Sequence, residues 1–223
     1  MVIPCSNKRY VIEEVPMIHK LMYFADPMCS WCYGFAPQIT QVKSKHPHID
    51  FQLIMGGLRP FGHETMANIG ALLRHHWTEV HKRSGQIFSY GILRNTDFVY
   101  DTEPPSRAVV TMRSLHPSKE FTFFKTVQEA FYRDSKDTND LHTYIELARD
   151  CGVDDQDFTE AFSSQSMKEK TLQDFAFTQQ MGISGFPYTM LQTGERYHLL
   201  AHGYAEADQM NAAIANVLEI DTG

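Results

Sequence analysis

Long hydrophobic runs are missing from this sequence. A membrane-spanning helix needs about 20 apolar residues, and a signal peptide an apolar core of about 7–15. The first apolar run, Met1-Val2-Ile3, is stopped at once by Pro4. The expectation is therefore no membrane association and a cytosolic location, where thiol pools are reducing. Basic charge is scarce as well. Lys and Arg total 20 against 27 Asp and Glu, a net charge of −7. That balance implies no phosphate-binding surface, so nucleic acid is not an expected partner. No internal repeat or low-complexity tract interrupts the chain. Cysteine is limited to four residues in 223, too few and too scattered for a secreted disulfide framework.

Two of those cysteines, Cys29 and Cys32, are separated by Ser30-Trp31. A zinc knuckle is the main rival reading, but a structural zinc site usually takes two such pairs. No second Cys-x-x-Cys exists, and His46 and His48 are one residue apart instead of the usual three to five. His75, His76 and His81 lack an acidic companion of HExxH type and read as a solvated helix face. Neither a metal nor a nucleotide signature is present.

What the chain does contain is an order of elements. The apolar run Leu21-Met22-Tyr23-Phe24-Ala25 precedes Asp26-Pro27-Met28-Cys29-Ser30-Trp31-Cys32, and a helical stretch to Lys45 follows. Strand, loop, Cys-x-x-Cys, helix is the order of a redox-active dithiol. At a helix start the first thiol faces unpaired backbone N–H groups and the positive end of the helix dipole, which favour its anionic form. The thiolate is the species that attacks disulfides. Cys29 is thus the expected attacking thiol. Cys32, one turn on, is the expected resolving thiol. Asp26 reads first as a turn residue ending the strand, and second as a proton acceptor near the dithiol.

In chain order, residues 1–17 form a polar tail without a clear period. Met17, directly before the first strand, is a candidate true start. Strand one is expected over Ile18–Ala25 and strand two over Ile49–Met55. The helix between them carries Pro37, which should kink it. Strand, helix, strand at this length makes a right-handed βαβ unit with parallel strands. Helical periods then follow over His63–Arg83, from Pro105, over Phe121–Arg133, through Leu141–Ala148 to the stop at Gly152, over Phe158–Phe162 and over Leu172–Met181. Tyr188–Gln192 and Tyr197–Ala201 read as a hairpin across Thr193-Gly194, and Ala205–Leu218 as a closing amphipathic helix. Cys151 beside Gly152 reads as a small buried hydrophobe. Cys5, in the tail, is given no partner.

These residues resemble the DsbA-like branch of the thioredoxin superfamily, and within it FrnE-type oxidoreductases and 2-hydroxychromene-2-carboxylate isomerases. Four features carry the resemblance across roughly residues 18–218: the strand ending in Asp26-Pro27-x-Cys29-x-x-Cys32, Pro37 in the next helix, the helical insertion, and Gly182-Ile183-Ser184-Gly185-Phe186-Pro187 before a strand. The resemblance implies an α/β fold, a thioredoxin-like domain (18–59 and 179–223) interrupted by a helical insertion domain (60–178). It implies a cis Phe186–Pro187 bond beside the dithiol. The expected function is a thiol–disulfide oxidoreductase or protein disulfide isomerase. Cys29, Cys32 and Pro187 are its expected catalytic residues, and Trp31 and Phe186 its expected substrate-groove residues. It needs no cofactor beyond its own dithiol, with glutathione as a candidate co-substrate. The expected partners are a disulfide-containing protein or small molecule and a thiol reductant. The isomerases carry serine where Cys29 stands, and DsbA has a histidine between its cysteines; here the pair encloses Ser30-Trp31. Two alternatives remain open: a glutathione-dependent isomerase or transferase acting on a small molecule, and a redox sensor or binding module without turnover.

Overall fold

The computed structural model describes residues 19–221. Cys5, Met17 and Ile18 lie outside the described residues. β1 (His19–Ala25) leads into α1 (Ser30–Lys45) and β2 (Asp50–Met55). Six helices follow: α2 (Met66–Ser84), α3 (Glu103–Leu115), α4 (Glu120–Tyr132), α5 (Leu141–Asp150), α6 (Asp155–Ser163) and α7 (Gln165–Gln180). The chain then returns to strand as β3 (Tyr188–Thr193) and β4 (Arg196–His202), and closes with α8 (Ala207–Asp221).

The sheet order is β2-β1-β3-β4. β1 and β2 are parallel, as the βαβ reading requires, and Tyr23 lies opposite Leu53. β3 runs antiparallel to β1, placing Tyr188 opposite Phe24, and β4 completes the hairpin beside it. The hairpin turns at Gly194 with φ +57, a region glycine enters without a Cβ penalty. β1 is central, which explains its unbroken apolar character: Leu21 to Ala25 are all buried. The end of β1 and the start of β3 therefore lie side by side at one end of the sheet, which brings Asp26 and Pro187 to the same end.

The largest apolar cluster joins the sheet to the helical segment through Tyr23, Phe35, Leu53, Phe123, Phe124 and Phe158. α1 lies close against α2 because Gly34 has no side chain; a Cβ there would come within 2.5 Å of Val80 Cγ1. A second cluster, Met28, Tyr33, Ile69, Trp77, Tyr100 and Tyr132, ties the dithiol loop to α2 and α4.

Pro37 stands inside α1, and α1 runs as one helix from Ser30 to Lys45. Proline supplies no N–H to the carbonyl four residues back, and that carbonyl, Tyr33 O, accepts instead from Gln86 Nε2 at 3.0 Å. Two helices begin earlier than their apolar periods suggest. α6 opens at Asp154, whose side chain accepts from Gln156 N and Asp157 N. α7 opens at Ser164, eight residues before Leu172, with its side chain accepting from Met167 N. α3 begins at Glu103, so the two prolines fall within its first turn. Cys151 is half-buried, not enclosed as its small apolar side chain suggested. Its Gly152 neighbour does end α5, at φ +85.

Candidate active site

Cys29 is the N-cap of α1. Its backbone is extended (φ −85, ψ 112) and its Sγ accepts from Cys32 N at 3.3 Å. The sulfur thereby takes up one of the unpaired N–H groups of the helix start. The loop leading to it is fixed at several points. Cys29 N donates to Asp26 O at 3.0 Å, closing the turn after β1, and Tyr100 Oη donates to Met28 O.

The two cysteines lie in different surroundings. Both are free thiols. Cys29 is 5% exposed and lines a cleft, while Cys32 is fully enclosed. Burial pushes the Cys32 thiol well above its ordinary value, and the hydrogen bond and charge of Cys29 push it further. The Tyr23 hydroxyl lies next to it and is held far up by burial, with Cys32 adding to the effect.

Asp26 is fully buried beneath the same loop. It is the expected turn residue, and it is also an enclosed carboxyl. Its Oδ1 accepts from Met28 N and its Oδ2 from Leu58 N, each at 2.8 Å. Burial pushes it up to about 6, against the pull of the Leu58 and Met28 amides and the Thr102 hydroxyl.

The second segment arrives across the sheet. Phe186–Pro187 is a cis peptide bond, and the Cys29 thiol donates to Phe186 O at 3.5 Å across 157 residues of sequence. Pro187 is buried, and its carbonyl accepts from Gly203 N at 2.9 Å. The Phe186 ring lies over Gly56, where a Cβ would come within 2.2 Å of it. The loop after β2 thus needs glycine there for the ring to sit. Trp31 and Phe186 are half-buried, whereas Tyr33 and Phe35 belong to the core.

Cys29, Trp31 and Phe186 open onto one cleft of about 290 Å³. Leu58 and Arg59, from the loop after β2, and Leu72 and His76, from α2, line it too. His76 is exposed, as expected of the three solvated histidines, and it also lines this cleft. Its i+7 spacing from Ile69, which also lines the cleft, was the available signal for its place here. A buried aspartate beneath a dithiol, one sulfur lining a cleft and one enclosed, makes a site for thiol–disulfide exchange.

Comparison with known proteins agrees with this geometry. The model of the DSBA-like thioredoxin domain matches residues 20–215.

The chain belongs to the DSBA-like thioredoxin domain family.

It is a thiol–disulfide oxidoreductase of this DsbA-like kind. A Nitrosomonas europaea protein assigned as a protein disulfide isomerase is 34% identical, with a TM-score of 0.82 over 91% of this chain and 98% of that one. The cytosolic disulfide reductase DsbM from Pseudomonas aeruginosa, in a structure with GSH, is 25% identical with a TM-score of 0.69, over 90% of this chain and 99% of that one. A 2-hydroxychromene-2-carboxylate isomerase shares the fold at 11% identity and a TM-score of 0.62, over 91% of this chain and 98% of that one. No curated protein matches significantly. Among the described residues, no helix of this DsbA-like chain is long and apolar enough to cross a membrane.

Proposed function

We propose that this DsbA-like protein reduces or isomerises disulfides, with Cys29 and Cys32 as its own two-electron carrier. Cys29, as thiolate, attacks one sulfur of a substrate disulfide. That S–S bond breaks, and one half of the substrate leaves as a thiolate that takes up a proton. The other half stays on Cys29 as a mixed disulfide. Cys32, having lost its proton, then attacks the Cys29 sulfur. The second half is released as a thiol, and a Cys29–Cys32 disulfide closes. Two electrons have passed to the substrate. A thiol reductant restores the dithiol, and no resident cofactor takes part. Glutathione is the candidate reductant, a reading supported by the related DsbM with GSH. A reducing compartment, the cytosol, favours this direction, and the cytosolic description of DsbM supports that placement.

The observation that carries the reading is the asymmetry of the pair. Cys29 sits at the start of α1 and opens onto the cleft, while Cys32 lies fully enclosed one turn behind it. Gly185 and Phe186 line the same cleft, Pro187 next to them is buried, and Phe186 O is the group a substrate sulfur would meet beside Cys29. Trp31 forms the rim. The test is a pair of variants incubated with a peptide disulfide and analysed by mass spectrometry. Cys29→Ser should show no adduct and no reduction. Cys32→Ser should accumulate the substrate as a mixed disulfide on Cys29. Adducts on Cys32 in the Cys29→Ser protein would reverse the two roles.

A further inference from the structure

One hydroxyl beside the dithiol takes no part in the hydrogen bonding of the fold. Along β1, Leu21, Tyr23 and Ala25 join the cluster that holds Cys32, Phe35 and Ile39 of α1, whereas Met22 and Phe24 join the cluster on the other face of the sheet. The Tyr23 ring is fixed there by Phe35 and Phe124, at 5.8 and 6.1 Å between ring centroids. Phe35 stands one turn after Cys32 on the same side of α1, so Tyr23 lies under the first turn of that helix. Its hydroxyl is next to the Cys32 sulfur. The residue is fully buried, and the hydroxyl has no hydrogen-bond partner among the described residues.

An enclosed hydroxyl without a partner opposes folding, and phenylalanine would fill the same space without it. The neutral Cys32 thiol is no substitute partner, because a thiol sulfur is a weak acceptor. A thiolate sulfur is a strong one. Cys32 must become a thiolate in an enclosed place, where burial opposes the charge. Cys29 gives it no help once its own sulfur is held in the mixed disulfide. The Asp26 backbone amide is one donor to Cys32. The Tyr23 hydroxyl is a second, and burial keeps its proton on the oxygen.

Resting on the exchange reaction proposed above, we propose that Tyr23 is a catalytic residue of its second step, its hydroxyl donating to the Cys32 sulfur as that sulfur becomes a thiolate and attacks Cys29. Tyr23 keeps its own proton throughout. The Cys32–Cys29 bond forms as the bond from Cys29 to the substrate sulfur breaks. The proton that Cys32 gives up is balanced by the one the departing thiol takes. The first step, attack by Cys29 on the substrate, does not use this hydroxyl.

Reaction with the symmetric disulfide of 2-nitro-5-thiobenzoate separates the two steps. Cys29 attacks the reagent and releases one coloured thiolate; Cys32 then attacks Cys29 and releases another. The Cys32→Ser protein, run alongside, gives the first release without the second, and it carries the same Cys5 and Cys151 background. One hydrogen bond to a charged group raises the thiolate population about tenfold. Roughly half of that gain, on a logarithmic scale, is offset because a less basic thiolate is a weaker nucleophile. Tyr23→Phe should therefore slow the second release about three- to fivefold at pH 7. It should leave the first release unchanged and keep the urea midpoint of the reduced protein level or raise it. A second release as fast as in the unsubstituted protein would overturn the role. So would a lower midpoint with both releases slowed, the signature of a merely structural hydroxyl. No second release from the unsubstituted protein would overturn the exchange reaction, and the role of Tyr23 with it.

Discussion

Two carboxylates hold the chain where it leaves β2, and they are held in opposite ways. Asp174, on α7, accepts from Met55 N at 2.9 Å and also takes the guanidinium of Arg113 as a fork, at 3.0 and 2.8 Å. Arg113 donates further to Glu120 at 2.5 Å and to Leu53 O at 2.8 Å. Asp26 takes the chain three residues after Met55, accepting from Leu58 N as well as from Met28 N, and no cation among the described residues figures in its shift. The first cluster pairs its charge at the junction of sheet and helices. The second leaves a buried carboxyl near neutrality at the dithiol. Backbone amides suffice to position a carboxylate, but they do not offset its full desolvation when it is enclosed. That difference separates a fastener from a group that can exchange a proton in the physiological range.

Removing the cation should make the fastener resemble Asp26. Arg113→Met leaves Asp174 and Glu120 facing each other at the edge of the core with no counter-charge. Breaking a buried pair in this way costs on the order of 3–5 kcal/mol. Urea unfolding at pH 7 should show that loss, and adding Asp174→Asn should recover part of it because the stranded charge goes. A loss under about 1 kcal/mol would mean the cluster behaves as a surface pair, and the contrast would fail.

Asp26 should reveal itself through pH. Its folded value, about 6, lies above the ordinary carboxyl range, with burial as the main cause. The fold therefore favours the protonated form. Its contribution to stability is complete below about pH 4 and is lost as pH rises through 6. The full swing is about 2–3 kcal/mol. The titratable groups facing Asp26 include Cys32, Tyr100, Tyr132 and Asp101, and they remain in Asp26→Asn. The stability difference between the unsubstituted protein and Asp26→Asn should thus move in favour of the variant between pH 5 and 7. A difference that stays flat across that range would place the Asp26 carboxyl among ordinary exposed acids.

Much of this site was legible in the sequence because it is built from local signals. Strand, turn, dithiol and helix are contiguous, so Cys29, Cys32 and Trp31 could be named from spacing. The resemblance brought Pro187 and Phe186 to the same place, and the antiparallel register of β1 with β3 puts them there. What stayed hidden depends on distant chain. Asp26 looked mainly like a turn residue because its enclosure comes from residues near Leu58 and Thr102, far along the sequence. His76 is solvated as expected, but nothing local showed the cleft beside it, which exists only where α2 passes the dithiol. The early turns of α6 and α7 escaped the apolar period because they are polar and start from Asp154 and Ser164 caps. Pro37 pointed to a kink, and the donor that satisfies the carbonyl it strands, Gln86, lies 53 residues beyond Tyr33.

That last pairing is the neutral, smaller form of the same contrast: a stranded polar group and the side chain that meets it. Gln86 Nε2 donates to Tyr33 O because Pro37 cannot. Gln86→Ala should therefore cost about 1 kcal/mol, the net worth of one hydrogen bond left unmade in a half-buried place. In a Pro37→Ala background the new N–H at position 37 can bond to Tyr33 O within α1. The same Gln86→Ala change should then cost close to nothing. The four proteins form a double-mutant cycle, and the effect of Pro37→Ala on its own cancels from the coupling. Urea midpoints at constant slope give that coupling directly. If Gln86→Ala costs the same in both backgrounds, the glutamine is held for its packing against α1, and the stranded carbonyl does not need it.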